Sequence, residues 1–211
     1  MNTLVTIGPT QEPLDAMRIL SNRSSGTLGT ELALTLAGAG HRVIALRGTG
    51  STAGITPLQR PEIRVIPFTT TANLRDALHL LSTEISVDVI FHAAAVSDYY
   101  FPEAGPGKIP TSGGAITLTF QPTPKILPRL REWFPKARIT SWKFEAAGDH
   151  QSSISAAKNQ LSSGHSDACV INGPSYGEGF GYLLRGENTR HFANARTLCD
   201  FLALGIAHAG G

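Results

Sequence analysis

The stretch from Ile7 to Gly29 constrains this chain more than any other. It reads I-G-P-T-Q-E-P-L-D-A-M-R-I-L-S-N-R-S-S-G-T-L-G. A short apolar run, Leu4 to Ile7, precedes it, and an apolar helical stretch, Thr30 to Ala39, follows. Strand, loop and helix in that order open a nucleotide-binding α/β unit. Ser24, Ser25 and Gly26 fall where the helix should begin, and the unpaired N–H groups and positive dipole end there favour an anion such as phosphate. Gly8 and Gly26 carry no Cβ and so allow the backbone to approach a ligand closely. The stretch is not G-x-G-x-x-G: only Gly26 and Gly29 have the terminal spacing, and the loop before them is far too long. On spacing alone, a long capped loop ahead of a core helix fits the same pattern.

The rest of the chain alternates strands and helices. His41 to Leu46, Ile63 to Pro67 and Val87 to His92 read as strands two to four, with an amphipathic helix over Thr71 to Leu81. Arg138 to Trp142 and Asp167 to Asn172 give strands five and six. Helices are expected at Pro124 to Phe134, Ser152 to Leu161 and Asn194 to Ala209, the last carrying Leu198, Phe201, Leu202 and Ile206. Gly173 to Glu187 is a glycine-rich loop with a hairpin around Phe180 to Leu184. This pattern predicts one α/β domain over residues 1–211, a Rossmann-like, mostly parallel sheet with helices on both faces. Residues 99–122 break the texture: Tyr99 to Gly114 is rich in Pro and Gly, and Ala115 to Phe120 alternates like a strand.

Composition excludes several classes. A hydrophobic fraction of 41%, a charged fraction of 16% and a net charge of +2 describe a globular chain with no electrostatic case for nucleic acid. The histidines are scattered without metal-ligand spacing. Cys169 and Cys199 lie in apolar segments and read as buried thiols. No signal peptide is visible, and no apolar run reaches the ~18 residues that span a bilayer. The expectation is a cytoplasmic protein without membrane contact.

A second constellation, Ala93 to Tyr99, reads A-A-A-V-S-D-Y at the C-terminal end of the fourth strand, where open parallel sheets bind ligands. Small side chains such as Ala94 leave room for a flat ring or ribose. Asp98 puts a carboxylate there, although on its own it equally suits a turn cap. Ten residues on, Lys108 reads on its own as a solvated loop charge.

The literal residues say more than the spacing. Gly8, Pro9, Thr10, Glu12, Pro13, Asp15, Arg18, Ser21, Asn22, Ser24, Ser25 and Gly26 compose G-P-T-x-E-P-x-D-x-x-R-x-x-S-N-x-S-S-G, which closely resembles the signature of the phosphopantothenate–cysteine ligases. The resemblance implies a coenzyme A biosynthesis enzyme, often fused to a flavin-dependent decarboxylase. It would activate the carboxylate of 4'-phosphopantothenate with CTP (or ATP, as in animals) and Mg2+, and join it to cysteine. It also implies roles. Asn22 would hold the acyl-nucleotide intermediate and Lys108 would act on it. Gly8, Pro9, Thr10, Asp15, Arg18, Ser24, Ser25, Gly26, Ala94, Asp98, Phe144 and Asn172 would bind nucleotide or phosphate. The segment after Tyr99 would project as a flap and pair two subunits into a homodimer.

The match weakens after Tyr99. An aspartate of the family's loop before the next helix becomes Lys125 in Thr123-Pro124-Lys125-Ile126, and alanine stands where F-A-A-E-T has glutamate. Two lysines expected to face the triphosphate become Gln160 and Gly164. Two readings follow: the ligase, or a divergent homologue that binds a nucleotide or acyl phosphate with little or no ligase activity. An NAD(P) oxidoreductase fits less well, because Arg47 stands where an acidic residue should end the second strand.

Overall fold

The computed structural model describes the backbone of residues 1–207 and the side chains of residues 1–205. In chain order the strands are β1 (Asn2–Ile7), β2 (Gln11–Pro13), β3 (Ile19–Ser21), β4 (Arg42–Gly48), β5 (Ile63–Phe68), β6 (Val89–His92), β7 (Tyr99–Tyr100), β8 (Gln121–Pro122), β9 (Arg138–Phe144), β10 (Ala168–Asn172), β11 (Phe180–Leu184) and β12 (Arg190–Phe192). The helices are α1 (Thr27–Gly38), α2 (Thr71–Glu84), α3 (Ile126–Trp133), α4 (His150–Ser162) and α5 (Ala195–Ala207). The expected extension of the last helix to Ala209, and the Ile206 side chain, lie outside the described residues.

Eight strands form one sheet in the order β12-β11-β10-β9-β6-β1-β4-β5. Its six strands from β5 to β10 are parallel; β11 and β12 are added antiparallel. The six parallel strands read as near-continuous apolar runs because both faces are covered. Val5, Ile7 and Phe91 point to the face where α1 and α5 pack, and Leu4, Ile44, Ile90 and Ile139 to the face covered by α2 and α3. Over the far strands α4 closes a third cluster around Cys169, Ile171 and Leu183. This is the expected α/β fold. Among the described residues no helix is long and apolar enough to cross a membrane.

Chain connections on the two sides of β1 set the site. From β1 the chain runs to β4 and β5, then returns to β6 on the other side of β1. That reversal leaves the C-terminal ends of β1 and β6 as the place where a ligand crevice opens.

Two local expectations are corrected. Ala115 to Phe120 is not a strand: the only ladder in this region joins β7 to β8, pairing Tyr99 with Pro122 and Tyr100 with Gln121. Alternation suits a strand, but a strand needs a neighbour for its backbone, and here none lies alongside, so Ile116 stays 52% exposed. The long loop after β1 is also more structured than expected. It contains the β2–β3 hairpin, which pairs Gln11 with Ser21 and Pro13 with Ile19.

Candidate functional site

The segment after β1 folds back over the strand ends and locks onto the segment after β6. Pro9 and Ala95 extend the β1–β6 ladder by one parallel bridge, with Ala95 N–H donating to Gly8 O at 2.9 Å. Thr10 is fully buried, and its Oγ1 accepts from Ser97 N–H at 2.9 Å. Asn22 donates from Nδ2 to Val96 O at 3.0 Å. Glu12, also buried, accepts from the N–H and hydroxyl of Thr71 at 2.8 and 2.7 Å and so satisfies the start of α2.

Asp15 and Arg18 form a clamp. The Asp15 carboxylate accepts from the backbone N–H groups of Met17, Arg18 and Ile109, and Arg18 Nη2 donates to Ile109 O at 3.0 Å. Backbone donors, that of Ile109 foremost, hold the Asp15 carboxyl below the usual carboxylate range. Ala16 N–H reaches Gly107 O at 3.2 Å, so both neighbours of Lys108 are fixed while its own side chain is exposed. The hairpin and the distant lysine loop are thereby one unit.

At the start of α1, Ser25 Oγ accepts from Thr27 N–H at 3.2 Å, and Gly26 takes a left-handed φ of 77°. The loop after β4 folds over this end: Ala53 N–H donates to Ser25 O, and Arg47 holds the carbonyls of Ser51 and Ala53. A Cβ on Gly8 (φ 78°) would overlap Ser51 Oγ, and one on Gly26 would come within 2.9 Å of it. The room left by these glycines is therefore filled by Ser51. Among the described residues its hydroxyl, Arg47 Nε and Thr30 Oγ1 are buried without partners.

A cleft of about 210 Å³ opens between the C-terminal ends of β6 and β9. Ala94, Val96 and Asp98 form one side, the start of α3 another, and His92, Ser141 and Gln160 the polar floor. Asp98 and Lys125 make an ion pair at the rim, both side chains more than half exposed. Such a pair contributes ~0–1 kcal/mol, so either partner is available to a ligand. His92 is half-buried with Nδ1 2.9 Å from Thr6 Oγ1, and burial pushes its pKa down to about 4. It is a neutral imidazole at physiological pH.

Sequence reasoning singled out neither His92 nor Ser141, and read Gln160 only as a lost lysine. The available signal was a ring residue at the C-terminal end of a buried strand. Phe144 and Asn172, expected at the nucleotide, are not among the residues that line this cleft, and Phe144 is 63% exposed. A second, more open cleft of about 490 Å³ lies further along the same edge, between His150, Lys158, Tyr176 and His191. The smaller cleft is the better candidate because Ala94 and Asp98 of the second constellation line it.

Fold and cleft together define a Rossmann-like α/β protein with a crevice beside the sheet's reversal point, at the C-terminal ends of β6 and β9. Within that class the chain belongs to the family described as the DNA/pantothenate metabolism flavoprotein C-terminal domain, whose model matches residues 1–192. The Coenzyme A biosynthesis bifunctional protein CoaBC of Thermococcus kodakarensis is 32% identical over 169 residues, covering 80% of this chain and 40% of that protein. The phosphopantothenate–cysteine ligase of Mus musculus is 31% identical, covering 75% of this chain and 67% of that one. The chain thus spans about two fifths of the bifunctional relative's length. Among solved structures, the DNA/pantothenate metabolism flavoprotein from Streptococcus pneumoniae superposes with a TM-score of 0.85 at 21% identity, covering 99% of both chains. A Cab2 variant in complex with phosphopantothenate-cysteine gives 0.80 at 20% identity, covering all of this chain and 89% of that one. At these identities the superpositions speak for the fold.

Proposed function

We propose that this protein is a phosphopantothenate–cysteine ligase. It activates the carboxylate of 4'-phosphopantothenate with a nucleoside triphosphate, CTP foremost, and joins it to cysteine in coenzyme A biosynthesis. The observation that carries the reading is the folding of the signature stretch, Gly8 to Gly26, onto one strand edge. There it meets Asp98's segment through Asn22 and the Lys108 loop through Asp15 and Arg18. Family membership and the named relatives point the same way.

The chemistry sets the roles. An amine cannot displace oxide from a carboxylate, so a carboxylate oxygen first attacks the α-phosphorus and pyrophosphate leaves. Cysteine's amino nitrogen then attacks the acyl carbon; the acyl–oxygen bond breaks, the nucleoside monophosphate departs with that oxygen, and the amine loses a proton. Negative charge grows on oxygen in both steps, so fixed donors lower the barrier. The Asn22 amide and the Lys108 ammonium are the donors assigned to the acyl-nucleotide. The resemblance assigns Gly8, Pro9, Thr10 and Ser24 to Gly26 to nucleotide or phosphate binding. Magnesium would supply charge neutralisation on the triphosphate oxygens. Among the described residues no three His, Cys, Asp or Glu side chains converge on a metal.

The segment 99–122, with Tyr99 and Ile116 exposed, supports a homodimer joined through the flap. The product carries a free cysteine carboxylate, which a flavin-dependent decarboxylase, as partner or fused domain, would remove. The cytoplasm is the compartment proposed. The second reading, nucleotide or acyl-phosphate binding with little or no ligation, draws on Gln160 and Gly164 in place of two lysines. Pyrophosphate release with phosphopantothenate, CTP or ATP, magnesium and cysteine decides between them. Release that requires phosphopantothenate is the expected result; nucleotide binding without release would overturn the ligase reading.

A further inference from the structure

We propose that His92 and Gln160 form a base-reading pair on the floor of the cleft, selecting a nucleotide whose base carries an amino group beside a ring nitrogen, as cytosine and adenine do. This rests on the nucleotide reading above and narrows it to a class of base. His92 and Ser141 are direct neighbours across the parallel β6–β9 ladder, so their side chains leave the sheet on one face with backbones ~5 Å apart. Gln160 reaches in from α4 and donates from Nε2 to Ser141 Oγ at 2.7 Å. The three groups therefore stand side by side.

Their protons are fixed by their neighbours. Thr6 is fully buried; its Oγ1 accepts from Ala94 N–H at 3.1 Å and lies 2.9 Å from His92 Nδ1. In the proposed arrangement the Thr6 hydroxyl donates to Nδ1, which places the ring's own proton on Nε2. Among the described residues His92 bonds through Nδ1 and not through Nε2, and the residue lines the cleft, so Nε2 is the ring atom left to meet a ligand there. On the other side, Ser141 Oγ donates to Ala168 O at 3.2 Å, with Ser166 Oγ at 3.0 Å. Having given its hydrogen away, Ser141 can only accept from Gln160. The second amide hydrogen faces Cys169 Sγ at 3.7 Å. The amide nitrogen is thus turned inward and the oxygen outward.

The floor offers one N–H donor and one carbonyl acceptor, both uncharged. Cytosine and adenine present the complement on one edge, a ring nitrogen that accepts beside an exocyclic amine that donates. Uracil carries an oxygen in place of the amine and an N–H in place of the ring acceptor, so in the same seat donor faces donor. A trans secondary amide, as in a pantothenoyl chain, points its N–H and C=O in opposite directions and cannot meet both groups. At the rim, Lys125 and the start of α3, which has no side-chain cap, offer a cation and backbone N–H groups to a phosphate.

Calorimetry with CMP, AMP and UMP tests the pair. On the parent protein CMP and AMP should bind at least tenfold more tightly than UMP, the scale of mispairing a desolvated donor. His92→Leu and Gln160→Leu, each with its fold checked by circular dichroism, should weaken CMP and AMP until all three bind within about threefold. His92→Gln, which keeps an N–H, should restore part of the preference. Equal binding of CMP and UMP to the parent, or folded Leu variants that keep the preference, would overturn the base-reading pair while leaving a nucleotide site. Should none of the three nucleotides bind, the base-reading pair falls, while pyrophosphate release still decides the ligase reading. If a Leu variant fails to fold, the parent's own CMP-to-UMP ratio still decides.

Discussion

At the scale of single residues, Asn22 and His92 carry opposite kinds of evidence. Asn22 was legible in the sequence because it sits inside a long literal motif, and its side chain does reach the loop after β6. Asn22→Asp is expected to abolish ligation with the fold intact, since a negative charge then faces a phosphate-bearing intermediate. Turnover within about twofold of the parent, far below the 10²–10³ cost of losing such a donor, would make Asn22 structural only. His92 was illegible because its partners, Thr6 and Ser141, are brought to it by strand register and not by sequence distance. Its pKa is lowered from 6.5 to about 4, so the unfolded chain binds more protons than the folded one between those values. Stability should therefore fall as pH drops from ~6.5 to ~4 and be fully present above that window, a loss of at most roughly 3 kcal/mol. Urea unfolding of the parent and His92→Leu should show the slope flattened in the variant. Parallel curves would mean that the imidazole titrates freely.

Among the elements, periodicity succeeded where burial on both faces dictates the residues and failed where pairing does. The six parallel strands were visible as apolar runs between turn residues. Helix α4 starts at His150, ahead of the expected Ser152, because Asp149 and Ser152 make a reciprocal cap. The β2–β3 hairpin was hidden because its strands are only three residues each, too short for alternation to register. Its turn is held by the Asp15 carboxylate, a contact with no signature of its own. Ala115 to Phe120 shows the converse: alternation says which face a side chain would take, and nothing about whether a neighbouring strand exists. In the proposed homodimer the neighbour is the partner's copy of this segment. Ile116, more than half exposed, should then be buried, and Ile116→Asp should shift a dimer to a monomer in light scattering at tens of micromolar. A parent that is monomeric there, or a variant that stays dimeric, removes the flap from the interface.

For the whole molecule the question is whether a chain that keeps the N-terminal signature still carries cations for a triphosphate. The expected triphosphate lysines are Gln160, committed to Ser141, and Gly164, a left-handed turn residue after α4. Neither can carry a cation to a phosphate. Of the other lysines, Lys143 is paired with Glu145 at 3.1 Å, Lys158 lines the second cleft, and only Lys125 stands at the rim of the first. One relocated cation can serve one phosphate, and its Asp98 pairing is exposed enough to exchange. Losing two charge-assisted contacts costs roughly 3–6 kcal/mol, or two to four decades of affinity. Triphosphate binding should suffer far more than monophosphate binding, because the charges beyond the first phosphate lack partners. Calorimetry in magnesium should accordingly find CTP and ATP only weakly bound, at hundreds of micromolar or worse, and close to CMP and AMP. Lys125→Ala should weaken all four together, since the cation serves the phosphate they share. Micromolar CTP binding that vanishes in Lys125→Ala or Lys158→Ala would instead show that a relocated lysine rebuilt the triphosphate site, and the loss of cations would then be only apparent.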